Sequence, residues 1–96
     1  TMTDIAKSID SFLDQAVQPA YNTIVSAKSW LSSSEPQWAA EARQANAYSD
    51  LVWIAHKNLI AAIQAGTQQV PTKAAFFAQF PPLWSPPPSN GNGPLV

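Results

Sequence analysis

The sequence predicts an all-α protein: a helical hairpin or small helical bundle with one long central helix, a short C-terminal helix and an extended proline-rich tail. Three observations predict it. Apolar residues recur at helical spacing in the first third of the chain, about 30 residues in the middle carry neither Gly nor Pro, and six of the nine prolines crowd into the last sixteen positions. No internal repeat interrupts this order.

The first element is expected from Thr3 to Gln18. Ile5, Ile9, Phe12, Leu13, Ala16 and Val17 fall on one face of a helix, with Thr3 and Asp4 suited to its N-terminus and Asp4, Asp10 and Asp14 on its wet side. Pro19 lacks an amide hydrogen and clashes with the preceding turn, so the helix stops or kinks there. A shorter helical segment follows to about Trp30, with Tyr21, Ile24, Val25, Lys28 and Leu31 on one side. Ser32-Ser33-Ser34 breaks it.

Ser34 and Gln37 have the spacing of a capping box, and Pro36 fits the first turn of the next helix. That helix runs to Ala65. Its main stripe comprises Trp38, Ala42, Ala45, Tyr48, Val52, Ala55, Leu59, Ala62 and Ile63, while Trp53, Ile54 and Ile60 lie off it. The second half is therefore apolar on more than one side and needs covering by neighbours, from this chain or another. Packing antiparallel against the Thr3–Leu31 segment supplies one such neighbour.

Gly66 is placed for a left-handed stop. Thr72 is the expected N-cap of a short helix carrying Phe76, Phe77 and Phe80, which closes one end of the bundle and is ended by Pro81 and Pro82. Residues 1–80 thus form a helical domain and 81–96 an extended Pro/Gly-rich arm outside the core. Its segment Pro-Pro-Leu-Trp-Ser-Pro-Pro-Pro favours polyproline II and offers Trp84 as one large group to bury.

Composition narrows the function. A chain of 96 residues forms one domain and buries only about 60–65% of the surface its unfolded form exposes. A partner surface is expected. Five Lys plus Arg against six Asp plus Glu leave a formal charge of −1, without the basic field that nucleic acid or an anionic membrane requires. No apolar run approaches the roughly 20 residues needed to span a bilayer, and the first twenty residues do not read as an export signal. With no Cys, disulfides, thiolate metal sites and cysteine nucleophiles are excluded.

His56 is the single histidine. No carboxylate stands three or four positions away, so it reads as a surface or interfacial residue rather than a metal ligand or base. No Gly-flanked Ser or phosphate-cradling Gly loop exists. No catalytic, cofactor or metal residue is assigned, no cofactor is expected, and the chain is not expected to be an enzyme. Only 11% of residues are charged, while four are Trp. Trp38 and Trp53, at helical spacing, read first as core; Trp30 and Trp84, near segment ends, read as interface; the Phe76-Phe77-Phe80 cluster is either a core lid or a partner contact. The partner-binding set is Trp30, Trp53, Phe76, Phe77, Phe80, Leu83 and Trp84.

Five segments follow one another in a suggestive order: Tyr21-Asn22-Thr23-Ile24-Val25-Ser26-Ala27, Gln37-Trp38-Ala39-Ala40-Glu41-Ala42, Tyr48-Ser49-Asp50-Leu51-Val52-Trp53, Gln64-Ala65-Gly66-Thr67 and Val70-Pro71-Thr72. Together they resemble small tailed-bacteriophage tail proteins, similar to tail-fibre-associated or tail-fibre-assembly proteins and their C-terminal helical modules. The likeness spans about Ile5 to Pro81. It departs at Tyr48, where the family tends to have Trp, at Ser49, where it tends to have Arg, and after Thr72, where Lys73-Ala74-Ala75 replaces acidic residues. The changes at Ser49 and after Thr72 remove charged groups from the surface.

The resemblance implies a small structural or assembly protein of a bacteriophage tail, resident in the virion and made in the host bacterial cytoplasm. Its expected partner is a tail-fibre, baseplate or other tail protein, with a homo-oligomer as a further arrangement. Two alternatives stand beside it: a transient tail-fibre assembly chaperone not retained in the virion, and a host-directed peptide-groove ligand. The resemblance carries over no catalytic residue.

Overall fold

The computed structural model describes residues 1–18 and 20–84, and places four α-helices among them: α1 (Met2–Ala16), α2 (Ile24–Lys28), α3 (Pro36–Gln64) and α4 (Lys73–Ala78). The described residues contain no strand. Pro19 itself, and residues 85–96 of the expected arm, lie outside them.

In α1 the periodic apolar residues do what their spacing requires: Ile5, Ile9 and Leu13 are buried, and Val17 continues the row into the turn beyond. Its cap is Thr1, not Thr3, with Thr1 Oγ1 accepting from the Asp4 amide at 3.2 Å. The helix ends at Ala16, and the chain reverses through a Tyr21 amide to Val17 carbonyl bond of 3.1 Å. Asp14 holds that reversal, accepting from the Ile24 amide at 2.9 Å. It is half-buried at the start of α2 rather than on a wet face, where its charge meets the positive end of the helix dipole.

α2 has Thr23 as N-cap and only five residues. Ile24 and Ala27 point inward, but Val25 is 75% exposed and Leu31 42% exposed, so the expected single apolar side splits in two. α3 starts at Pro36 without a side-chain cap. The Ser34–Gln37 box does not form, because the N-cap is Glu35 and Gln37 falls one position short of the box; the Gln37 side-chain amide donates to Glu41 Oε2 at 3.2 Å, and Ser33 Oγ takes the Glu35 amide.

α3 spans about 44 Å at 1.5 Å per residue, close to the 47 Å long axis of the molecule. Tyr21 meets Glu41 and Phe12 stacks near Tyr48, so the chain climbs α1 as it descends α3: the two run antiparallel. Ala27, Ala42 and Ala45 are fully buried and let the backbones approach closely. Of the predicted stripe, Ala42, Ala45, Tyr48 and Val52 are buried, and Trp38, Ala55, Leu59, Ala62 and Ile63 are half-buried. Glu41 and Ser49 are buried beside them without having been expected there. Glu41 is tolerated because the Tyr21 hydroxyl donates to Oε1 at 2.8 Å and Gln37 to Oε2.

The C-terminus of α3 closes as a Schellman motif. Gly66 takes φ +77°, its amide bonds to the Ile63 carbonyl at 3.1 Å, and the Thr67 amide bonds to the Ala62 carbonyl at 3.0 Å. Thr72 Oγ1 accepts from the Ala75 amide at 3.1 Å and starts α4. α4 covers a flank formed by α1 and the C-terminal half of α3 rather than an end of the bundle: Phe77 lies against Phe12, and Phe76 edges His56.

Candidate functional site

The seven aromatic and apolar residues expected at a partner surface do not assemble into one. Phe76 is 2% and Trp84 7% exposed, and both belong to the core. Phe77, Phe80, Leu83 and Trp30 are half-buried and packed against it. Only Trp53, at 40% exposure, presents its ring outward.

Phe76, Phe77 and Phe80 gather around Phe12. Phe12 and Phe77 stack with centroids 4.5 Å apart, Phe80 lies 5.9 Å away, and Phe76 meets both neighbours edge-on. Of the two readings of this cluster, the core lid is the one observed. Residues 81–84 seal it. The Tyr48 hydroxyl donates to the Pro81 carbonyl at 2.6 Å, and the Trp84 indole N–H donates to the Val17 carbonyl at 3.0 Å. Trp84 is thus part of the core and not of an arm: its ring is buried, and its N–H adds a second hydrogen bond to a carbonyl that already accepts from the Tyr21 amide. Burial raises the Tyr48 phenol above its ordinary value. Burial and then the hydrogen bond to Glu41 raise Tyr21 well above its own.

Trp30 pairs with Trp38 at 5.5 Å, and its indole N–H is buried without a partner. His56 sits between Trp53 and Phe76 at 5.8 and 6.4 Å, both edge-on, with Nε2 likewise buried and unpaired. Its neighbours are rings, which offer no group to take or relay a proton. Among the described residues no three His, Asp or Glu side chains stand close enough to hold a metal ion, and no helix is long and apolar enough to cross a membrane.

What remains for a ligand is surface. One recess of about 470 Å³ opens between α1, α2 and α3. Leu13, Ile24 and Ser49 form its inner wall; Val25, Leu31 and Trp53 line it where they reach solvent. Asp10 and Lys28 also line it and give its edge one charge of each sign. Such a recess takes an apolar or aromatic side chain and orients it by polar contacts at the margin. Sequence reading included Trp53 in the partner-binding set but not Val25 and Leu31, which it had placed on one side of the second segment together with Tyr21 and Ile24. A five-residue helix has too few turns for periodicity to fix its inward direction.

A second recess, of about 420 Å³, lies where residues 80–84 cross Phe12, Ala16 and Tyr48. Beyond the recesses, Leu51 and Ile54 stand 48% and 55% exposed on the outer side of α3. Compared with protein-family models, curated proteins and solved structures, the chain matches none.

Proposed function

We propose that the chain is a small structural or assembly protein of a bacteriophage tail, which binds a tail-fibre, baseplate or other tail partner. The order of its five sequence segments supports the tail assignment. The single observation that carries the binding role is the recess bounded by Val25, Leu31 and Trp53: three large apolar side chains left in solvent around one opening. Burying such a group on a partner removes roughly 25 cal/mol for each Å² of apolar area taken from water, and aromatic anchors in pockets dominate interfaces of this kind.

The mechanism is association without chemistry. A protruding side chain of the partner fills the recess, and Asp10 and Lys28 set its orientation. The test is incorporation into purified particles, read by quantitative mass spectrometry. Val25→Asp and Trp53→Ala, both at exposed positions, keep the helical circular dichroism and lower occupancy by about tenfold or more, as expected for loss of anchor residues. Unchanged occupancy for both variants would remove the recess from the tail contact. Absence of the unaltered chain from mature particles would favour the transient chaperone.

A further inference from the structure

The outer side of α3 carries a second pattern, one the core does not use. Gln44, Ala47, Leu51, Ile54, Asn58 and Ala61 follow at alternating intervals of three and four, the spacing of a coiled-coil seam, and all six are exposed. Asp50 and Lys57 stand along one flank of this seam, also exposed, and neither has an ion pair among the described residues. The opposite flank carries Ala55 and Ala62, too small to obstruct a neighbouring helix.

We propose that a second copy of this chain occupies this face, with the two α3 helices antiparallel across a two-fold axis. Leu51 of each copy then lies against Ile54 of the other, Ala47 against Asn58 and Gln44 against Ala61. Asp50 of each copy faces Lys57 of the other. The occupant follows from charge complementarity. In an antiparallel pair the charged flank meets the charged flank, which matches Asp50 with Lys57 twice; in a parallel pair it meets the alanine flank and both charges go unmatched.

One axis serves both sets of contacts. The apolar pairs are centred midway between Leu51 and Ile54, and the charged pair midway between Asp50 and Lys57, about one residue further along the helix. That is the self-complementarity an isologous two-fold contact requires. The small side chains of Ala47 and Ala61 let the helices approach, and Asn58 against Ala47 keeps its amide at the edge of the apolar centre. This contact leaves the Val25–Leu31–Trp53 recess on another side of the helix and does not depend on the tail assignment.

The test uses the full chain. Light scattering and sedimentation equilibrium are expected to give a dimer whose dissociation constant rises about thirtyfold or more for Leu51→Glu, a charge placed at the interface centre. Asp50→Lys and Lys57→Asp each weaken the dimer by about tenfold through like-charge apposition, and the double exchange restores it. Because the chain has no cysteine, single replacements report direction cleanly. Ala47→Cys mixed with Asn58→Cys is expected to cross-link across copies, whereas Asn58→Cys alone does not. A monomer at millimolar concentration overturns the proposal, as does a dimer indifferent to Leu51→Glu or Asn58→Cys cross-linking to itself.

Discussion

Trp84 illustrates how a single residue can tie together distant parts of a small chain. Its indole N–H reaches the Val17 carbonyl across 67 positions of sequence, and its ring is 7% exposed. Replacement by Ala removes a large buried ring and one of the two hydrogen bonds that the Val17 carbonyl accepts. We expect a loss of about 3 kcal/mol or more, or roughly 15 °C in melting temperature for a domain of this size. Thermal denaturation checks this; a change of only a few degrees would mean that the ring is not structural. Sequence reading placed Trp84 in an arm because proline neighbours dominate its context. No local pattern reveals which distant apolar slot a ring will fill.

Tyr21 makes a second prediction at this scale. Its phenol is held above the ordinary value of 10.0, first by burial and then by the hydrogen bond to Glu41. A proton bound more tightly in the folded state contributes stability that is fully present below pH 10 and is lost as pH rises past it. Tyr48 is shifted in the same direction by burial. Absorbance of the phenolate, followed with circular dichroism, should therefore show both tyrosines ionising only as the helices melt. Ionisation near the ordinary value with helicity intact would place the hydroxyls in solvent.

At the scale of elements, the long periodic helices were legible and the short ones less so. Four turns of α1 give Ile5, Ile9 and Leu13 no alternative but one buried row. The stop at Gly66 was also readable, since φ +77° belongs to glycine, and its bonds to Ile63 and Ala62 now explain why a helix of 29 residues ends there. Gly66→Ala meets nothing within 4 Å, so its cost is backbone strain alone. We expect about 1 kcal/mol, measurable as a shift in the urea midpoint without a change in slope. The capping box failed because the helix starts one residue later than expected, at Pro36 with Glu35 as N-cap, and the Gln37 side chain turns to buried Glu41 one turn on.

For the whole molecule, composition foretold a protein short of charge and rich in rings, and the fold shows where those rings go. Most serve the core: Phe12, Tyr48, Phe76, Phe77, Phe80 and Trp84 line one continuous contact between α1, α3 and the segment that follows. Val25, Leu31, Leu51, Trp53, Ile54 and Val70 are the large apolar residues this core leaves exposed. Composition counts apolar residues without saying which face receives them. Of the expected partner-binding set, Phe76 and Trp84 lie in the core, Trp30, Phe77, Phe80 and Leu83 are half-buried against it, and Trp53 is exposed. Two distinct outer faces result, the recess beside α2 and the seam along α3, so occupation of one leaves the other open.

The Val17–Trp84 bond also sets a timetable for biosynthesis. α1, α2 and α3 all precede residue 84 in the order of synthesis, so the hairpin is made before the ring that covers one of its apolar flanks. A chain that stops short of Trp84 lacks that cover.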